Sequence, residues 1–149
     1  MSLFETIDQE IKKAMMAKDR VRLETLRSVK TAFMETTTAK GASHELTEEQ
    51  VLVILQRMVK QRKDSATIYE EQNREELAQQ ELKEVEVLQS YLPKALTQEE
   101  LDKAIGEIIV QTGSSSLKDM GKVMGAATKN LAGKAEGRAI ADTVKKLLS

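Results

Sequence analysis

The sequence has no cysteine, a single proline, a single histidine and few aromatic residues, and each shortage excludes some class of protein. Without cysteine, the chain can form neither a disulfide nor a thiolate metal site, and it carries no cysteine nucleophile. Aromatic residues make up only 3% of the 149 residues, so a core must be built from aliphatic side chains and methionine. This composition favours helices over strands.

The charge balance and the lack of long apolar runs exclude further classes. Charged residues make up 32% of the chain and nearly cancel, which argues against a protein that coats nucleic acid indiscriminately. The longest apolar run, "VLVIL", is far too short to span a membrane. The N-terminal "MSLFETIDQE" lacks the basic and apolar regions of a secretory signal. The sequence therefore predicts a soluble cytoplasmic protein with no membrane partner.

The chain changes character around its only proline, Pro93, because six of the seven glycines lie after residue 105. A proline pushes the residue before it out of the helical region, so a boundary is expected within Tyr91–Leu96. We expect an all-α fold of two helical units. The first is an N-terminal bundle of about four helices over residues 1–92, and the second has three helices over residues 97–149.

Caps and apolar spacing mark the expected helices. Asp19 caps the second helix, and the capping boxes "TEEQ" at Thr47 and "TQEE" at Thr97 open the third and the fifth. Gly113 closes the fifth helix, and "TTTAKGASHEL" is typical of a loop. Arg62 falls on the apolar side of the third helix, which predicts a snorkelling or salt-bridged arginine. The expected buried positions of the first five helices are Leu3, Ile7, Ile11, Met15, Leu26, Val29, Phe33, Val51, Leu55, Met58, Val59, Leu77, Val85, Leu88, Leu101, Ile105, Ile108 and Ile109.

The sequence offers no constellation for catalysis. The lone His44 lies in a polar loop and does not supply a metal site, so neither a metal nor a cofactor is expected. The serines of Ser114–Ser116 have no histidine to act as their base. No strand precedes the glycines, as a phosphate-binding P-loop would need. We expect no catalytic residue in this chain.

The stretch "KDMGKVMGAATKNLAGKAEGR" holds four of the seven glycines. On a helix of about 100° per residue, its apolar residues fall within an arc of about 80° that predicts a buried stripe. Three lysines and a glycine lie on the opposite side, with a second glycine next to them. A glycine inside a helix costs about 0.5–1 kcal/mol relative to alanine, so two of them require an explanation. The stripe consists of Leu117, Met120, Met124, Ala127 and Leu131, and the opposite side of Lys118, Gly121, Lys122, Gly125 and Lys129.

Two explanations for this glycine–lysine face remain open. Small residues four apart let a second helix approach closely, or a bulky anionic partner lies against the backbone while lysines pair with its phosphates. Just beyond, Lys134, Gly137 and Arg138 flank the start of the last helix, whose N–H groups suit phosphate, although Glu136 opposes an anion there. With few aromatic residues, any nucleic-acid contact should be to backbone and shape.

Three segments resemble a known family. They are "VKQRKDS", "EVEVLQSYLPKALTQEEL" and "MGKVMGAATKNLAGKAEGR", and they closely resemble the YqeY family of small bacterial proteins over essentially the whole chain. The part after Pro93 also looks like the tail domain of GatB, the B subunit of the tRNA-dependent amidotransferase. That enzyme converts misacylated Glu-tRNA(Gln) or Asp-tRNA(Asn) to the correct amide form, using glutamine as amido donor.

The resemblance implies an all-helical, two-part fold and a role in tRNA handling. In GatB the corresponding tail helps to hold the body of the tRNA, while the catalytic parts lie elsewhere and have no counterpart here. The resemblance therefore implies a non-catalytic partner of tRNA, and possible docking to an aminoacyl-tRNA synthetase or an amidotransferase. Glu136 stands where the family pattern often has Asp. The positions carried over are Lys118, Gly121, Lys122, Gly125, Lys129, Lys134 and Arg138.

Two other functions compete with tRNA binding as interpretations of this sequence. A protein-interaction adaptor that docks through the N-terminal bundle would expose an apolar patch on the first four helices. A free-standing amidotransferase is disfavoured, because the chain has no nucleophile machinery.

Overall fold

The computed structural model describes residues 2–38 and 45–149, and within them the chain is all-α with no strand. A 3-10 turn at Leu117–Asp119 precedes the sixth helix. The chain divides into two compact units, and the boundary lies between Leu92 and Pro93. That each unit folds independently stays a prediction. The helices are α1 (Leu3–Ala17), α2 (Arg20–Thr38), α3 (Glu48–Glu71), α4 (Glu75–Gln89), α5 (Gln98–Thr112), α6 (Met120–Asn130) and α7 (Gly137–Leu148).

The core of the first unit is formed by α1, α2, the first half of α3 and the end of α4. Leu26, Val29 and Phe33 of α2 are fully buried, as their spacing predicts. The ring of Phe4 stacks on that of Phe33, with 5.8 Å between the centroids. Aliphatic side chains provide the rest, so the shortage of aromatic residues does not prevent a closed core.

The predicted helix starts are confirmed in detail. The hydroxyl groups of Thr47 and Thr97 accept hydrogen bonds from the third backbone N–H of α3 and α5, and the reciprocal bonds are present. The Asp19 carboxylate accepts from the N–H of Arg22 at 3.2 Å. A third capping box, at Ser2, was missed although "SLFE" carries the same signal.

Two positions expected in the core are exposed instead. Met15 is 52% exposed, and Ala14 occupies the buried position of that turn. A spacing of four residues advances about 40° per step around a helix of 3.6 residues per turn, so the stripe from Leu3 drifts off the buried side. Leu77 is also exposed, and the adjacent Ala78 is buried in its place.

The three threonines at the start of the predicted loop "TTTAKGASHEL" belong to α2, which continues through Thr38. The threonine hydroxyl groups donate to backbone carbonyl groups of the preceding turn, such as Thr36 to Ala32 at 2.9 Å. These bonds let β-branched threonines end a helix without leaving their hydroxyl groups unsatisfied. His44 lies outside the described residues.

Beyond the core, the distal halves of α3 and α4 pair with each other through small and charged side chains. Arg62 of α3 forms ion pairs with Glu81 and Glu84 of α4, which confirms the salt-bridged arginine. The Arg62 Nε atom is buried without a hydrogen-bond partner. Burial raises the pKa of the Glu84 carboxyl above its ordinary value, and the attraction of Arg62 offsets only part of that effect.

In the second unit, α5, α6 and α7 surround a core that includes Ile105, Val123 and Val144. Gly113 ends α5 with a φ of +67°, the left-handed conformation that glycine adopts without strain, as predicted. The N–H of Leu96 donates to the carbonyl oxygen of Lys134 at 2.9 Å. This bond attaches the segment before α5 to the loop that precedes α7.

Candidate nucleic-acid interface

The predicted buried stripe of the sixth helix is shifted in the structure. Val123 and Ala127 are fully buried, Met120 and Met124 are half-buried, and Leu117 is 47% exposed. The prediction that Leu117 belongs to the stripe is wrong, because the first turn is a 3-10 turn of 3.0 residues, which changes the angular position of Leu117. Val123 was missed, although it lies four residues before Ala127 on the same side.

The three lysines of the glycine–lysine face are exposed, as expected. Lys118 lies in the 3-10 turn, and Lys122 and Lys129 lie on α6. None of them forms an ion pair with a carboxylate of residues 2–38 or 45–149. Their charges are therefore available to an anionic partner.

The two helical glycines open onto free space. A Cβ atom built on Gly121 or on Gly125 meets no atom of the chain within 4 Å apart from its own helix and chain neighbours. Close packing against another helix of the described chain therefore does not explain them. A partner could approach the α6 backbone here more closely than any other residue type would permit.

The second predicted group lies beyond the end of α6. Lys134, Gly137 and Arg138 are exposed, and a Cβ atom on Gly137 would also meet nothing within 4 Å. Glu136 precedes α7 but makes no side-chain capping bond, so its carboxylate does not cover the first-turn N–H groups. The structure thus places Lys134 in the loop after α6 and Gly137 and Arg138 in the first turn of α7, apart from the face on α6.

The charge of this region suits phosphate. From Leu117 to the end, seven basic and three acidic residues give a local charge of +4 in a chain of net −1. Within this stretch, the Asp119 carboxylate accepts a hydrogen bond from the N–H of Ser115 at 3.0 Å. Of the basic residues, Lys146 pairs at 2.9 Å with Asp102, which lies outside the stretch. The region can therefore neutralise phosphates.

The described residues contain no candidate metal-binding cluster. No group of three or more His, Asp or Glu there could hold a metal ion. None of the helices in residues 2–38 and 45–149 has the length and apolarity that crossing a membrane requires.

The first unit exposes apolar side chains, which a protein-interaction adaptor would require for docking. Ile68 and Leu77 are both exposed and lie on either side of the turn that joins α3 to α4. Met15 and Met16 form a second exposed pair at the end of α1. Each of these two pairs forms only a small apolar patch.

Comparison with known proteins gives one family and several relatives. A family described as "Yqey-like protein" matches residues 4–148. Curated proteins named "Altered inheritance of mitochondria protein 41, mitochondrial" are similar to the chain. The one from Clavispora lusitaniae is 35% identical over 105 residues, which is 68% of this chain and 60% of the relative. Those from Kluyveromyces lactis and Meyerozyma guilliermondii are each 30% identical, over 73% and 80% of this chain and 60% and 65% of the relative.

These relatives contradict two expectations. The chain was expected to be a bacterial and a cytoplasmic protein, but the relatives are yeast proteins whose names call them mitochondrial. The cytoplasmic expectation rested on the lack of a secretory signal and of a spanning segment. The bacterial one rested on a resemblance of helical segments, whose core and surface patterns are the same in any compartment. The chain spans about three fifths of the length of the relatives from Clavispora lusitaniae and Kluyveromyces lactis.

Proposed function

Because the chain belongs to the Yqey-like protein family, we propose that it is a non-catalytic tRNA-binding module that assists tRNA-dependent amidation. The observation that carries the proposal is the open backbone at Gly121 and Gly125 among lysines without ion pairs. A helix that served only to cover a core would gain stability from alanine at both positions. Two glycines on the solvent side therefore support a partner that lies against this face.

The same face fits the backbone of RNA better than its bases. Lysine ammonium groups pair with phosphates as point charges, and the glycines let the sugar-phosphate backbone lie against the helix. The whole chain contains two phenylalanines and two tyrosines, and Phe4 and Phe33 are engaged in the core. Base stacking on aromatic rings is therefore a minor contribution at most, and affinity should depend little on RNA sequence.

A titration of the protein with tRNA at several salt concentrations tests this proposal. Each phosphate that a lysine neutralises releases counterions, so the affinity should fall linearly on a plot of its logarithm against the logarithm of the salt concentration. Absence of salt-dependent binding to tRNA would reject the function for the isolated chain.

An adaptor role remains the second candidate, and the exposed Ile68 and Leu77 favour it. Both lie at the distal turn of the α3–α4 hairpin, away from the residues that form the core. A helical partner such as a synthetase or an amidotransferase subunit could cover them. Two results together would favour the adaptor. The chain would bind such a protein but no tRNA, and the double variant Ile68→Ser, Leu77→Ser would abolish that binding.

A further inference from the structure

The corner between α1 and α2 exposes apolar and basic side chains side by side. Met16 is 86% exposed, the highest value among the exposed large apolar side chains, and its neighbour Met15 is 52% exposed. Lys12 lies one turn before Met16 on the same side of α1, and Lys18 follows directly after the helix. Both methionine side chains are therefore largely open to solvent at this corner.

Lys18 adopts a backbone conformation that is unfavourable for lysine. Its φ of 56° and ψ of 32° are left-handed, and its N–H and that of Asp19 donate to Met15 and Ala14 to close α1. Glycine is the usual residue at such a helix end, because a Cβ atom is crowded there. The chain instead accepts this strain at an exposed lysine.

The positive charge of the corner exceeds what its own carboxylates neutralise. Residues 10–24 contain five basic and three acidic residues, a net charge of +2. Glu10 contacts Lys13 and Arg22, and Glu24 contacts Arg20. Lys12 and Lys18 form no ion pair with any carboxylate in the part of the chain that the structure describes.

We propose that this corner docks onto an anionic phospholipid surface, with Met15 and Met16 entering the headgroup layer and Lys12 and Lys18 pairing with lipid phosphates. A soft bilayer accepts a protruding apolar tip, whereas a protein partner would need a matching groove. RNA offers lysine a phosphate but has no apolar layer for a methionine. Basic residues beside exposed apolar side chains are what interfacial membrane contacts use.

This proposal differs from the expectation of no membrane partner, which rested on the lack of a spanning segment. A peripheral contact needs no spanning helix, because only side chains at one corner enter the interface. It is also independent of tRNA binding, since Lys122 and Lys129 lie in the other unit. The two can therefore fail separately.

Flotation of the full chain with vesicles of phosphatidylcholine, with or without phosphatidylglycerol, tests the proposal. The wild type should float with the anionic vesicles only, and added salt should reduce the bound fraction. Lys12→Gln should lower the partition coefficient about fivefold, the effect of one cation near an anionic surface. Met16→Ser should lower it as well. Matched controls are Met34→Ser, at a methionine that is 50% exposed elsewhere, and Lys63→Gln, and both should bind as the wild type does.

Lys18→Gly separates binding from folding. Removing the strained side chain should raise the thermal unfolding temperature while lowering the bound fraction, and a purely structural role would not produce these opposite signs. Failure of the wild type to bind anionic vesicles overturns the proposal, and so does equal loss in the control variants. Loss of tRNA binding in the corner variants without any vesicle binding would assign the corner to RNA and likewise overturn it.

Discussion

The Nη2 atom of Arg22 donates a 2.6 Å hydrogen bond to the phenol oxygen of Tyr91, and its guanidinium carbon lies 5.5 Å from the centre of that ring. Burial raises the pKa of Tyr91, and the nearby Arg22 offsets part of the rise. Tyr91 and Leu92, the first two residues of the expected boundary segment, pack against the first core. Leu96 packs against the second core, so the exposed part of the linker shrinks to Lys94 and Ala95.

Limited digestion with trypsin should therefore cut after Lys94 before it cuts at any lysine or arginine within α3 or α4. This lysine is exposed and outside any helix, whereas lysines such as Lys83 lie within helices that must open before cleavage. Mass spectrometry of the fragments would identify the first bond cut. Cleavage within α3 or α4 at the same rate would count against two separately folded units.

The two sides of α6 should respond oppositely to alanine. Val123→Ala should destabilise the fold by about 1–3 kcal/mol, because it removes buried methyl groups and leaves a cavity. Gly125→Ala should stabilise it by about 0.4–1 kcal/mol, because the added Cβ meets open space and the unfolded chain loses freedom. Urea unfolding followed by circular dichroism measures both changes.

Met124→Ala provides the comparison within the same helix. Met124 is half-buried, so the loss of stability should be smaller than the range of about 2–5 kcal/mol that applies to a fully buried methionine. Destabilisation by Gly125→Ala would mean that the glycine is needed for packing after all. The face would then lose its main support as a binding surface.

Replacing Arg62 with methionine should destabilise the protein more at neutral pH than near pH 4.5, the ordinary pKa of a glutamate. Burial already raises the pKa of Glu84, and loss of the arginine removes the charge that lowers it. A group with a raised folded-state pKa binds its proton more readily in the fold, so stability falls as the pH rises through that pKa. We expect the variant's free energy of unfolding to be about 1–3 kcal/mol lower than that of the wild type at neutral pH.

The double variant Arg62→Met, Glu84→Gln serves as the control for this prediction. Glutamine carries no charge to desolvate, so much of the additional pH dependence should disappear. Thermal unfolding of the single and the double variant at the two pH values measures this difference in pH dependence. An equal loss from Arg62→Met at both values would mean that the ion pair matters only through packing of the arginine stem.

The salt dependence of tRNA binding should report the lysines of α6. Replacing Lys122 and Lys129 with alanine should reduce the slope of the log–log salt plot by about one to two units. Different tRNAs should be weakened about equally, because phosphate contacts carry no sequence information directly. The matched control is Lys60→Ala, Lys63→Ala on α3. An unchanged slope would show that the phosphates lie elsewhere.

Gly125→Leu should weaken tRNA binding without unfolding the protein. The leucine side chain fits the open space around α6, so the helix content should remain, but it would hold a backbone away from the helix. A binding titration and a circular dichroism spectrum together give the answer. Unchanged affinity would mean that the partner does not lie against this part of the helix.

Much of the candidate interface could be predicted from spacing alone. An exposed face of lysines and glycines follows from the helical period, and Lys122, Gly125 and Lys129 are exposed as that period requires. Absence of neighbours at Gly121 and Gly125 could not be predicted. It depends on where α5 and α7 pack, which is a property of the tertiary fold.

The sequence by itself determined the helical class, the caps at Thr47 and Thr97, the buried face of α2 and the end of α5 at Gly113, because these depend on local hydrogen bonds and on the helical period. Only the tertiary structure decided that Ala14 and Ala78 are buried while Met15 and Leu77 are exposed. At those positions two adjacent residues compete for one buried place. A helix turns about 100° per residue, so which of the two is buried depends on where the neighbouring helices pack, and that placement is set by residues far away in the chain.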